Sequence, residues 1–149
     1  FESMKKIDGI SKPEQFFSQV PKHFRSDEQF RIWTAYSDGK PVSSILLFYW
    51  GNSIEYFLPV VESEYRSLQP LSCVIFEAMK DAIKRGFTLW NWGSTWQSQK
   101  GVYRFKSRWG ATDREYRYFT QLNNFEIKEK EKKELLSLYP NYFLYPFDN

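Results

Sequence analysis

Residues 54–92 read IEYFLPVVESEYRSLQPLSCVIFEAMKDAIKRGFTLWNW. The run from Ile54 to Val60 is β-rich, but Pro59 has no N–H to give to a ladder, so pairing must stop or bulge there and the sheet opens at that end. The polar connector ESEYRSLQ leads to Pro70, which suits the first turn of a helix. Leu71, Val74, Ile75, Ala78, Met79, Ala82 and Ile83 then recur at i, i+3 and i+4, while Glu77, Lys80, Asp81, Lys84 and Arg85 fall on the opposite, solvated side. Gly86 is the expected stop. Phe87 to Trp92 follows as a short aromatic strand. Strand, connector, helix and strand together predict a right-handed crossover that sets the last strand parallel to the first.

Upstream, Gln29 to Tyr36 alternates as a strand, with Phe30, Ile32, Thr34 and Tyr36 set against Arg31 and Trp33. Asp38-Gly39 predicts a hairpin turn, because both central residues of such a turn need positive φ. Val42 to Trp50 reads as the central strand, and Gly51-Asn52 turns the chain back, so residues 29–61 form a three-stranded antiparallel meander. Before it, Lys12 to Phe24 predicts a short helix stopped near Pro21. Downstream, GSTWQSQKG is a polar loop, Val102 to Trp109 a short helix ended by Gly110, and Arg114 to Leu122 a final strand. Residues 126–138 read as a charge-laced helix, before the aromatic tail YPNYFLYPFDN. The sum is an α+β fold: a mixed, mostly antiparallel sheet with flanking helices, in one domain over residues 1–149.

Composition narrows the chemistry. The 149 residues are 42% hydrophobic and 26% charged, and no run approaches the ~18 apolar residues of a membrane span. The chain opens FESMKKIDG, without an apolar leader or an initial Met, which reads as an internal start. One cysteine, Cys73, rules out a disulfide framework, and a reducing, cytoplasmic setting is expected. With one histidine, His23, and no HExxH spacing, no metal site is expected. Net charge is +3, yet residues 100–117 hold six cations (Lys100, Arg104, Lys106, Arg108, Arg114, Arg117) against Asp113 and Glu115, so the positive excess sits in one segment.

At 100° per residue, Val102, Phe105 and Trp109 share an apolar face, Lys106 lies about 40° from Val102, and Arg104 and Arg108 fall on the far side. Lys106 therefore borders the packed face, where partial desolvation would let it polarise an acyl carbonyl or hold a donor's phosphate or ribose; the periodicity alone favours the alternative, a side chain snorkelling along the helix edge. Arg104 and Arg108 are candidates for holding a polyanion, or are simply solvated. Asn91, Ser94 and Thr95 sit at the carboxyl end of a strand, where they could bind substrate amides or cap the next helix. Glu62 and Glu64 follow Pro59 and are candidate bases or amine anchors by location alone. Cys73 lies off the apolar stripe with no histidine partner and is rejected as a nucleophile; His23 is read as structural.

The succession DGKPVSSILLFYWGNSIEYFLPVVESEYRSLQPL, a helix ending KRGF, TLWNWGST and VYRFKSRWGA resembles the FemAB-related and BioF2-like acyltransferases of the GNAT fold, the superfamily of peptidoglycan-bridge aminoacyltransferases. The likeness covers about residues 28–122 and is sharpest at Phe105-Lys106 and Trp109-Gly110, which match an FK-x-x-aromatic-G pattern. It implies transfer of an acyl or aminoacyl group to an amino group of a cell-envelope or glycan precursor. It also implies a small-molecule or lipid-linked amine acceptor, aminoacyl-tRNA or acyl-CoA as donor, and a second domain of the same kind in tandem. By resemblance, Leu58 to Val61 and Asn91 to Thr95 line a cleft that opens after Leu58 and Trp92, Lys106 contacts the donor, and Tyr103 is a general acid, a packing role being the alternative for Tyr103 because its spacing to Gly110 differs from the usual motif. Ordinary GNAT acetyltransferases carry a glycine loop for the pyrophosphate of coenzyme A where this chain has ESEYRSLQP, a departure that weighs against acetyl-CoA. A module from another class remains open: a catalytically silent domain that binds RNA or an anionic glycan through the basic aromatic segment.

Overall fold

The computed structural model describes residues 12–95, 99–115, 119, 121, 123 and 125–138. Two compact units divide between Thr112 and Asp113. The first carries helix α1 (Glu14–His23), strands β1 (Phe30–Ser37), β2 (Lys40–Trp50) and β3 (Ser53–Val61), a 3-10 turn over Ser63–Leu68, helix α2 (Pro70–Lys84), strand β4 (Leu89–Asn91) and helix α3 (Lys100–Ser107). The sheet runs β1-β2-β3-β4; the first three strands are antiparallel and β4 is parallel to β3, so the expected α+β architecture with a mixed sheet is present.

The amphipathic stripe of α2 buries Val74, Ile75, Ala78 and Ala82 against Ile45, Leu47 and Tyr49 of β2 and Ile54 and Tyr56 of β3. Ile45, Leu47, Ile54 and Ile75 are fully buried, each contributing about 1.5–3 kcal/mol of transfer free energy. Gly86 closes the helix at φ +83°, a conformation that suits a residue without Cβ. Ile83, expected in the stripe, is 74% exposed. Asp81 and Arg85, expected in solvent, are drawn in by Arg31 of β1, whose Nη1 donates to Asp81 Oδ2 at 3.0 Å, while Arg85 lies 4.3 Å over the ring of Tyr49.

On the opposite sheet face, α1 lays Val20 over Phe30 and Leu46, with Phe16, Phe48, Phe57 and Leu58 half-buried around them. The helix does not stop at Pro21 but runs on to His23, since in a last turn the missing N–H costs only one bond. Strand β1 serves both sheet faces, with Phe30 buried on the α1 side. Trp33 and Ala35 pack towards α2, whereas Ile32 and Tyr36 are 59% and 66% exposed. Pro59 acts as expected: the β2–β3 register shifts so that Ser44 opposes Val60 and Leu46 opposes Phe57, with Leu58 at φ +45° in the bulge.

The second unit contains a 3-10 turn over Phe125–Glu129 and helix α4 (Lys132–Leu138), so the single helix expected over residues 126–138 is two pieces. Of the strand expected from Arg114 to Leu122, the described residues Arg114, Glu115, Phe119 and Gln121 are in irregular backbone, and the rest lies outside the described residues. The tail from Tyr139 onward and residues 96–98 of the polar loop lie outside them too. No helix among the described residues is long and apolar enough to cross a membrane.

Candidate active site

The β3–β4 ladder has three pairs, Ser53 with Leu89, Ile54 with Trp90 and Glu55 with Asn91. There β4 ends while β3 continues to Val61, so the strands part earlier than the expected Leu58 and Trp92. At the last pair the side chains of Glu55 and Asn91 meet: Asn91 Nδ2 donates to Glu55 Oε2 at 2.7 Å. The amide oxygen of Asn91 accepts the N–H of Gly93 at 3.0 Å, a short side-chain-to-backbone turn that swings the chain off the strand. Gly93 takes φ +68° in that turn, which explains the glycine.

Helix α3 is docked next to this turn by its aromatics. Phe105 and Trp109 pack on Trp92 with ring centroids 6.3 and 6.1 Å away, and Trp92 lies 5.0 Å from Tyr56. Val102, expected on the same face, is instead exposed, because the helix begins at Lys100 and its apolar contact is confined to its last turn. Lys106, beside Phe105, is thereby laid along the strand end. Its Nζ donates to Gly93 O at 3.3 Å, Ser94 O at 3.0 Å and Thr95 Oγ1 at 2.9 Å, so all three ammonium hydrogens are engaged.

Partial burial perturbs both charges of the cluster. Desolvation pushes the Glu55 carboxyl above the ordinary carboxylate range, opposed by the hydrogen bond from Asn91 and the charge of Lys106. Desolvation likewise lowers the Lys106 ammonium, and Glu55 pulls it back up. A carboxylate with raised proton affinity next to a held cation, where a sheet opens, can take a proton from a bound group and stabilise developing negative charge.

Of the residues expected from sequence, Asn91, Ser94, Thr95 and Lys106 come together here. Arg104, Arg108 and Tyr103 are exposed on α3. Glu62 stands beyond the far end of β3, where its N–H donates to Val42 O, roughly 20 Å along the strand from Glu55 at about 3.3 Å per residue. Glu64 is exposed in the 3-10 turn, and Arg117 lies outside the described residues. Glu55 was missed. Its signal was a single carboxylate inside the apolar run IEYFL, since an acid seldom sits half-buried in a sheet without a purpose.

The start of α2 offers an anion little. Gln69 caps it in a left-handed conformation, Pro70 has no N–H, and the N–H of Ser72 donates to Gln69 O at 3.0 Å.

Comparison with known proteins agrees with the fold. An aminoglycoside acetyltransferase, meta-AAC0020, from an uncultured soil metagenomic sample and in complex with sisomicin, superposes with TM-score 0.59 at 14% identity, over 83% of this chain and 84% of that one. A ribosomal-protein-alanine N-acetyltransferase from Brucella melitensis biovar Abortus 2308 gives 0.61 at 10% identity over 79% and 85%. The AAC(6')-Iy protein, in complex with a bisubstrate analogue, gives 0.61 at 11% over 76% and 83%. At such identities the likeness is one of fold. No curated protein matches the sequence. The profile of the acetyltransferase (GNAT) domain matches residues 4–107, more than half of the chain, and the chain therefore belongs to the GNAT acetyltransferase domain family.

Proposed function

We propose that this domain is a FemAB-like N-acyltransferase that moves an acyl or aminoacyl group onto a primary amine of a cell-envelope or glycan precursor. The observation that carries the reading is the joint placement of the Glu55 carboxylate, held by Asn91, and the Lys106 ammonium, held by the 93–95 turn, where the β3–β4 ladder ends. In this mechanism the neutral amine attacks the acyl carbonyl, and the proton lost from nitrogen as the C–N bond forms passes to Glu55. Lys106 exchanges its bond to Thr95 Oγ1 for the developing oxyanion. Tyr103 protonates the leaving oxygen or sulfur as the acyl bond breaks. The first turn of α2 supports aminoacyl-tRNA over acyl-CoA as donor, because Pro70 has no N–H and the N–H groups of Ser72 and Cys73 are already given to Gln69 O, away from a pyrophosphate.

The test pairs a binding measurement with a transfer assay. Thermal shift with coenzyme A against aminoacyl-tRNA identifies the donor, since a ligand at 100 times its dissociation constant stabilises by about 2.7 kcal/mol. Lys106→Ala is expected to bind the donor normally and to transfer about 10²–10³-fold more slowly. Equal transfer by variant and wild type would overturn the assignment.

One observation favours a second reading, a silent module for RNA or an anionic glycan. Lys100, Arg104 and Arg108 stand at i, i+4 and i+8 along α3 and are all exposed. In that case no amine is acylated, and affinity for RNA falls steeply with salt.

A further inference from the structure

The row of side chains that crosses the sheet at the site is Phe30, Phe48, Glu55 and Asn91, set by the pairs Phe30 with Phe48, Phe48 with Glu55 and Glu55 with Asn91. Directly opposed residues project on the same face with Cβ atoms about 4.5–5.5 Å apart, so the Glu55 carboxylate has Phe48 as its neighbour on one side and Asn91 on the other. Phe57, two residues along β3, shares that face, with its ring 5.6 Å from that of Phe48. Phe24, 40% exposed, lies 5.1 Å from Phe48, and Phe16 of α1 lies 5.7 Å from Phe57. Phe48, Glu55 and Phe57 are all half-buried, so this face is neither sealed core nor open surface. A sheet facing water would carry small polar residues beside the acid. Here the acid stands between Phe48 and Asn91 across the sheet, with Phe57 two residues along the same face.

We infer that this row is the acceptor subsite, and that it takes a primary amine borne on a hydrocarbon arm, alkyl or arylalkyl, in preference to an amine set directly on a sugar ring. The inference rests on the proposed transferase reading and chooses within it. Glu55 receives the nitrogen, and the rings of Phe48, Phe57 and Phe24 cover the carbon arm, a combination of carboxylate and aromatic faces that suits organic cations. Polar ring hydroxyls would lose water against phenyl faces without gaining partners there.

The probes are phenethylamine, its neutral analogue phenethyl alcohol, and glucosamine, each titrated without donor into the full chain by calorimetry and by following the Asn91 side-chain amide signal in NMR. Phenethylamine is expected to bind at least tenfold more tightly than either of the others and to move the Asn91 signal. Glu55→Gln, which keeps the shape and an acceptor for Asn91, is expected to weaken phenethylamine at least tenfold. Phe57→Leu, a conservative second variant checked by circular dichroism, is expected to weaken it severalfold. Equal or tighter binding of glucosamine or of the alcohol overturns the inference, as does unchanged binding by Glu55→Gln. Phenethylamine that binds as described, but is acylated from neither acetyl-CoA nor aminoacyl-tRNA, leaves the subsite standing and defeats the transferase reading instead.

Discussion

Glu55 and Lys106 are both held against their own solvation. Because the folded carboxyl of Glu55 titrates above its unfolded value, the two states are equally protonated at low pH, and the folded state then loses stability as pH rises through the window between the unfolded and folded values. Glu55→Gln removes that loss. Its melting temperature is therefore expected to equal or exceed wild type at pH 7, with the advantage shrinking below the ordinary carboxylate range, while acyl transfer collapses; a variant less stable at pH 7 than at pH 4, relative to wild type, would contradict the raised value. The rate should follow the same group, rising with pH only once Glu55 ionises, above the usual carboxylate range, and falling in alkali below the usual lysine range as Lys106 loses its proton. Thr95→Val removes one of the three acceptors of Lys106 and is expected to cost about 0.5–1.5 kcal/mol in chemical denaturation, the net value of one hydrogen bond. At this scale the sequence was half legible. Lys106 could be singled out because the resemblance to the FK-x-x-aromatic-G pattern added to its place at the edge of an apolar helix face, whereas Glu55 could not, because its position at the site comes from β4 arriving beside β3, a contact between residues 36 positions apart.

Among the elements, those whose signals are local were readable and those completed by packing were not. The meander, α2 and the bulge at Pro59 follow from turn residues, a 3.6-residue stripe and a missing N–H, all properties of short windows. The alternation of β1 does not say which side faces α2, because both sides carry apolar residues; the docking of that helix selects Trp33 and Ala35, while Phe30 is buried on the α1 side. Strand β4 is shorter than the run FTLWNW because Asn91 turns the chain through the N–H of Gly93, ending the ladder. Helix α3 is the element on which the site depends, and its end is set by Gly110 at φ +79°, whose N–H donates to Ser107 O at 3.0 Å. An added methyl meets no atom within 4 Å, so the penalty of Gly110→Ala is purely one of backbone conformation, about 1–2 kcal/mol. With Trp109 adjacent, that strain should loosen the seat of α3 on Trp92. Gly110→Ala is expected to lower the melting temperature and to speed hydrogen exchange in α3 more than in α2; uniform exchange across both helices would show that α3 is not an independently yielding element.

In the molecule as a whole, the first unit sets its fully buried core on one face of the sheet and the carboxylate of the proposed site on the other, with α3 anchored on that core through Phe105 and Trp109. The fully buried Ile45, Leu47, Ile54 and Ile75 lie on the α2 side of the sheet, whereas Glu55 and Asn91 project from the other face and Lys106 of α3 bonds the 93–95 turn that follows Asn91. Alternation along β3 makes this possible, since Ile54 and Tyr56 serve the core while Glu55 between them projects from the opposite face. A strand that carried its acid on the core face would have to bury a charge under α2, at a cost of several kcal/mol. The division has a measurable consequence. Ile75→Val deletes one methyl from the centre of the core and is expected to cost about 0.5–1.5 kcal/mol, lowering the melting temperature by about 2–4 °C per kcal/mol in a chain of this size. Its affinity for phenethylamine and the pH at which transfer rises should stay at the wild-type values, because no hydrogen bond or ring contact of the Glu55 row passes through Ile75. If the core variant weakened amine binding as much as Glu55→Gln does, the two faces of the sheet would be energetically coupled, and the site would have to be understood as a property of the packed core rather than of the strand end.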